Sequence, residues 1–273
     1  MPYRILSLFV FAISICRLLK KLHLTPRRSL GMHAPQEPTV SVNINAFTLT
    51  LTQSPTLLRS SLACGTTGAV VWNLTPRLAR YLTSSSCPLL PPSSRILELG
   101  CGVSSVLAAT LGTMVNTYIQ SDMPYAVKLA EQNLRENLPA RKKGKKVEYN
   151  VHTIRLNWEE DDVASHPVIR ALDGALTAVI ACDCVYNETL IQPFLDTVVS
   201  ACLLHRINAE KEEEKTLVIV ATEIRSPDVQ ECFLEAFMAR FDVYRISSEF
   251  LPDELQPEHG IVIHIGMLRS TTT

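Results

Sequence analysis

An α/β fold, built on a mostly parallel sheet with helices over both faces, is predicted by three features of this sequence. From Arg95 onward, continuous apolar runs of strand length alternate with longer segments of helical pattern. The stretch "RILELGCGVSSVLAATLG", Arg95 to Gly112, reads as a strand, a tight glycine turn and a helix. The last two apolar runs, "FDVYRIS" and "GIVIHIGML", follow one another without a helix, which predicts an antiparallel pair at one edge. The 273 residues, 47% of them hydrophobic, supply a core for one large domain or two small ones.

The chain opens with "ILSLFVFAISIC", Ile5 to Cys16, followed by Arg17, Lys20, Lys21, Arg27 and Arg28. This run is shorter than the roughly 20 apolar residues of a membrane span, and no clear small-x-small cleavage site follows it. Three readings stand: a membrane or secretory segment, an N-terminal extension, or sequence upstream of a translation start at Met32. Residues 1–31 are therefore set apart as a leader, 32–94 as strands and a helix packing on the core, and 95–273 as the core.

After the leader, "VSVNINAFTLTL", Val40 to Leu51, alternates apolar and polar positions as half-buried strands do. "GTTGAVVWNLTPRLARYL" gives a glycine-rich turn, a short apolar run and a helix from near Thr75, with Pro76 in its first turn. "SSSCPLLPPSS", Ser84 to Ser94, is a loop whose prolines end any helix. In the core, strand "RILELG" leads to helix "SSVLAATLG", and strand "NTYIQSD" to helix "PYAVKLAEQNLRENL". "VEYNVHTIRLNW" is a strand and its exit. The buried strand in "ALTAVIACDCVY" leads to helix "ETLIQPFLDTVVSACLLHRI", which Pro193 starts or kinks, and "TLVIVATEI" leads to helix "SPDVQECFLEAFMARF". "RKKGKK" and "EKEEEK" read as solvated loops of opposite charge.

A formal net charge of −1 gives no sequence-wide attraction to nucleic acid. The eight cysteines include no C-x-x-C pair, and several lie in apolar runs, as thiols do in a reducing compartment; a cytoplasmic protein is expected. The seven histidines lack the paired spacing of a zinc site, so no metal is expected.

The chemistry concentrates at the glycine turn. Gly100 and Gly102 end the first core strand, where a parallel sheet binds its ligands, and lacking Cβ atoms they admit a ligand close to the backbone. Asp122 ends the next strand, where its carboxylate suits both hydroxyls of a ribose. That much fits a nicotinamide dinucleotide and S-adenosyl-L-methionine alike. Two details favour the second. Ser105 stands where G-x-G-x-x-G requires its third glycine, and Glu98 would repel a pyrophosphate while suiting an ammonium and a sulfonium.

At these residues the chain resembles a known family. "ILELGCGVS", the acid of "IQSDMP", "LNW" and above all "ACDCVYNETLIQP" are similar to the seven-strand protein-lysine methyltransferases called methyltransferase family 16, in particular its fungal ribosomal-protein branch. The resemblance runs from about Val40 to Leu268 and departs at Ser104, where many methyltransferases have a third glycine. It implies a Rossmann-like, seven-stranded, class I S-adenosylmethionine-dependent methyltransferase fold. It also implies that Trp72 and Trp158 enclose the cofactor together with Glu98, Gly100, Cys101, Gly102, Asp122 and Cys182, the last a pocket wall. Asp183 and Tyr186, the ends of a D-x-x-Y motif, are implied as catalytic: Asp183 attracts or orients a lysine, and Tyr186 lines its channel. Asp183 also suits an N-cap for the helix after Asn187. The implied partner is a protein presenting a lysine, from the ribosomal large subunit or another translation-associated protein, with membrane contact only if the leader is retained. Two alternatives stay open. One is a small-molecule or RNA acceptor, although D-C-V-Y replaces the N/D-P-P-Y/F motif of amino-methylating nucleic-acid enzymes. The other is a non-catalytic binding module.

Overall fold

The alternation between Val40 and Leu51 folds as an antiparallel hairpin, Thr39–Ile44 (β1) and Phe47–Thr52 (β2). Val40, Val42, Ile44, Leu49 and Leu51 are buried, and Asn45 takes the left-handed backbone (φ 48°) that the tight turn needs. The structure, a computed structural model, describes residues 31–59, 66–139, 148–172, 175–204 and 215–270, with the short pieces 9–11, 141–142 and 145–146. It divides into two compact units, Gly31–Leu156 and a second whose body is Asn157–Thr273.

In the first unit, helix Leu74–Leu82 (α1) buries Leu74, Leu78, Ala79 and Leu82 on one face, with Pro76 in its first turn as expected. Three strands, Arg95–Leu99 (β3), Thr117–Asp122 (β4) and Val151–Arg155 (β5), run parallel, β4 pairing with both others. Helices Val106–Leu111 (α2) and Pro124–Asn137 (α3) connect them. The outer edge of β2 is not left open. Asn137 bonds the amide and carbonyl of Thr50 at 2.8 and 2.9 Å, and Asn133 does the same for Thr52. These two side chains, one helical turn apart, act as a partner strand would.

In the second unit, Ala178–Cys182 (β6) and Leu217–Glu223 (β7) are parallel and almost wholly buried. Helix Ile191–Leu203 (α4) joins them, with Pro193 in its first turn, so the proline starts the helix rather than kinking it. Helix Pro227–Arg240 (α5) leads into Phe241–Ile246 (β8), and Ile261–Leu268 (β9) pairs antiparallel with both β7 and β8. The expected C-terminal antiparallel pair is present, and the last strand lies between its two partners. An aromatic column, Phe194, Phe233, Phe237 and Phe241, packs with centroid spacings of 6.3, 5.2 and 4.9 Å. Gly266 lets α5 lie close on the sheet, because a Cβ there would come within 2.3 Å of the Phe237 ring.

The expected α/β architecture is thus realised with seven core strands, mostly parallel, flanked by helices. Phe9–Phe11 pairs antiparallel with Tyr244–Ile246; the rest of the leader, and "EKEEEK" up to residue 214, lie outside the described residues. Arg141–Lys142 and Lys145–Lys146 form a minimal antiparallel pair where a plain loop was expected. Among the described residues, no helix is long and apolar enough to cross a membrane.

Candidate active site

The glycine turn of the first unit is held from three sides. Gly100 and Gly102 take left-handed backbone (φ 72° and 61°), and the amides of Gly100 and Cys101 both donate to the Ser121 carbonyl at 2.9 and 3.0 Å. The Gly102 amide donates to Oδ2 of Asp122 and the Met123 amide to its Oδ1, each at 2.7 Å. Asp122 therefore clamps the turn, and each oxygen retains a lone pair for a further donor. On the third side, the Val103 amide donates to the Gly68 carbonyl at 2.8 Å. A Cβ on Gly102 would stand 3.0 Å from that oxygen, and one on Gly68 would stand 2.8 Å from the Tyr125 hydroxyl and 3.3 Å from Gly102 Cα. At Gly102 the positive φ and the backbone oxygen both favour glycine, and at Gly68 a side chain would require the Tyr125 hydroxyl and the Gly102 backbone to give way. Gly68 is thus a site residue beyond those read from the sequence, although its Thr-Gly turn is visible there.

Trp72 is half-buried beside this junction, its indole Nε1 donating to the Thr67 carbonyl at 2.9 Å. Asn133 donates to the Val103 carbonyl at 2.6 Å, so the residue that closes the hairpin edge also grips the turn. Where the sequence offers Ser104 for a third glycine, the left-handed conformation falls on Ser105 (φ 52°), whose hydroxyl donates to the Ala130 carbonyl at 2.7 Å. Ser104 itself is buried, as is Cys101.

Two acids lie beneath the turn. Glu98 is 2% exposed and accepts the Tyr118 hydroxyl at 2.8 Å. Burial pushes its carboxyl up to about 8; the Tyr118 bond opposes that rise and Asp122 adds to it. Burial also raises Asp122 to about 6, against the two backbone amides that favour its ionised form. Burial raises both carboxyls, and a positive charge nearby would favour their ionised forms. A cationic ligand supplies that charge and a pyrophosphate does not, so this donor set, with the paired glycines, fits S-adenosylmethionine.

The second unit carries the remaining candidates. Trp158 is half-buried, its ring edge-on to Phe194 with centroids 5.2 Å apart. Cys182 ends β6 and is 7% exposed. Asp183 follows it with a positive φ of 60°, uncommon for a residue with a side chain, and its amide extends the ladder by donating to the Ala221 carbonyl at 2.8 Å. Its carboxylate side chain is 2% exposed and is gripped by Arg225, Nη1 to Oδ1 at 2.8 Å and Nη2 to Oδ2 at 2.6 Å. Glu223 stands 3.5 Å from the same guanidinium. The expected capping role falls elsewhere: Asn187, not Asp183, caps the next turn, accepting the Thr189 amide at 3.1 Å. Tyr186 is 43% exposed. Arg225 escaped the sequence reading; its one local signal is a cation two residues past the end of a buried strand.

Comparison with known proteins agrees with this chemistry. A family described as lysine methyltransferase matches residues 54–240, more than half of the chain. The ribosomal lysine N-methyltransferase 5 of Zygosaccharomyces rouxii is 28% identical, over 74% of this chain and 74% of its own. Its counterpart in Eremothecium gossypii is 29% identical, over 77% and 82%. Among solved structures, the Pyrococcus abyssi tRNA (uracil-54, C5)-methyltransferase in complex with S-adenosyl-L-homocysteine is similar at 12% identity and a TM-score of 0.43, covering 85% of this chain and 45% of that one. By family match, strand pattern and donor set, the chain belongs to the lysine methyltransferase family, as an S-adenosylmethionine-dependent enzyme of the class I fold.

Proposed function

We propose that this protein methylates a lysine on a cytoplasmic, translation-associated protein, most specifically one of the ribosomal large subunit. The ribosomal assignment rests on the relatives that carry that activity in their names; the lysine assignment rests on family membership and on the Asp183 cluster. In that cluster, two acidic side chains face one guanidinium at the end of β6 and β7. That single observation carries the reading: an acid-rich strand end suits a cationic side chain.

S-adenosylmethionine supplies a methyl group on a positively charged sulfonium. Gly100, Cys101 and Gly102 would let its amino-acid end approach the backbone, Asp122 would hold the ribose hydroxyls, Glu98 would balance positive charge, and Trp72 would exclude water. Lysine has a reference pKa near 10.4 and must lose a proton before it can attack. Like charge from the sulfonium and loss of water both favour the neutral amine, so no dedicated strong base is needed. Asp183 would orient the arriving residue and Tyr186 would line its path, since methyl transfer depends on positioning of the nucleophile.

Incubation with labelled S-adenosylmethionine and a fungal lysate, followed by location of the label, tests the acceptor; label on RNA or a small molecule overturns it. Asp183→Ala is expected to abolish transfer with cofactor affinity near normal. Asp122→Ala is expected to weaken cofactor affinity at least tenfold, measured by calorimetry.

A further inference from the structure

The Asp183 carboxylate is not a free charge awaiting a substrate. Both oxygens are occupied by the guanidinium fork of Arg225, at 2.8 and 2.6 Å, and Oδ1 also faces the Glu223 amide at 3.3 Å. Arg225 is itself fixed from below. Its Nη1 donates to the Glu223 carbonyl at 3.2 Å, and its Nη2 lies 3.5 Å from the Glu223 carboxylate, which is 5% exposed. A planar, bidentate pair of this kind fixes orientation as well as charge, which a lysine in its place would not do. The backbone adds a reason for the grip: Asp183 sits at φ 60°, a conformation that persists only when its surroundings hold it. Tyr186 follows three residues later in the same loop.

We infer that Arg225 is the positioning residue of the acceptor loop: its fork holds the Asp183 carboxylate, and through it the left-handed turn that sets Tyr186. This rests on the reading that Asp183 and Tyr186 receive the lysine. Asp183 is then an anchored element of the loop.

Free attraction and anchoring predict opposite results. If Asp183 worked as a free counter-charge, removing the competing guanidinium would strengthen acceptor binding. Under anchoring, the maximal rate falls and acceptor affinity does not improve. The measurement is the initial rate of label transfer from S-adenosylmethionine to fungal lysate protein, at a series of lysate concentrations, with cofactor affinity measured by calorimetry. Arg225→Gln is expected to lower the maximal rate at least tenfold with no fall in half-saturation and with cofactor affinity within twofold. Arg225→Lys, which keeps the charge and loses the fork, is expected to lose nearly as much. The double variant Asp183→Asn with Arg225→Gln removes both charges of the bidentate pair together, and is expected to be no slower than the slower single variant. Full activity in Arg225→Lys, a tighter half-saturation in Arg225→Gln, additive losses in the double variant, or a collapse of cofactor affinity would each overturn the inference. If Asp183→Ala abolishes transfer while Arg225→Gln does not, only the positioning role fails. If Asp183→Ala is active, or the unaltered chain labels no protein, the underlying reading fails with it.

Discussion

Glu98 and Asp122 are the residues whose chemistry is most exposed to a simple titration. Glu98 titrates near 8 and Asp122 near 6 in the ligand-free protein, both raised first by burial. A cationic cofactor favours their ionised forms, so its binding releases a proton and weakens as pH falls through this range. Affinity for S-adenosylmethionine is expected to rise between pH 6 and 8 by up to about tenfold per pH unit for each proton released. In Glu98→Gln that dependence should flatten markedly; calorimetry across the range, in buffers of differing ionisation enthalpy, reads both the affinity and the proton. These acids were legible in the sequence because they stand two residues before Gly100 and at the next strand's end. Arg225 was not, since its bond to Asp183 spans 42 positions and the sequence between them carries no sign of it. The same distance hid the tether that makes Asp183 an anchored group.

Among the elements, helix α3 has two tasks that its pattern only half reveals. Its buried Ala126, Ala130 and Leu134 follow from helical spacing, whereas Asn133 and Asn137 read as ordinary polar positions. Their work depends on a strand edge more than eighty positions upstream in the chain. Asn133→Ala leaves the Thr52 amide and carbonyl and the Val103 carbonyl without this partner, in a region where Asn133 is fully buried. A loss of about 2–3 kcal/mol is expected in denaturant titration, together with weaker cofactor binding through the turn. Asn137→Ala, at the exposed end of the ladder, is expected to cost about 1 kcal/mol and to leave cofactor affinity unchanged. Strands and helices were legible one by one, because period and punctuation are local. The insertion of β9 between β7 and β8 was not, because pairing partners are chosen by packing across the finished sheet.

For the whole molecule, the alternation of strands and helices was enough to give the α/β class, yet one contribution to its response to acid comes from a residue that the pattern passes over. His264 lies inside β9 with no exposure, opposite Arg245 of β8, and neither ring nitrogen has a hydrogen-bond partner among the described residues. Burial first, and Arg245 second, lower it from 6.5 to about 3. Below pH 6.5 the unfolded chain takes up a proton that this folded-state ring refuses, so the His264 contribution to folding stability falls as pH drops toward 3. The contribution is about 1.4 kcal/mol per pH unit, or about 2 kcal/mol between pH 6.5 and 5. Glu98 and Asp122, protonated earlier in the folded protein than in the unfolded chain, act in the opposite sense over the same range. The His264 contribution is therefore read as a difference: between pH 6.5 and 5, urea titrations should show His264→Leu gaining about that much stability relative to the unaltered chain. A different lesson lies in the meeting of Gly68 with Gly102, where a methyl group on either would press on its neighbours. The mould for the methyl donor is cast in two pieces far apart in the chain, so a chimera transplanting Arg95–Gly112 alone would inherit half a mould; the upstream Thr-Gly segment has to travel with it.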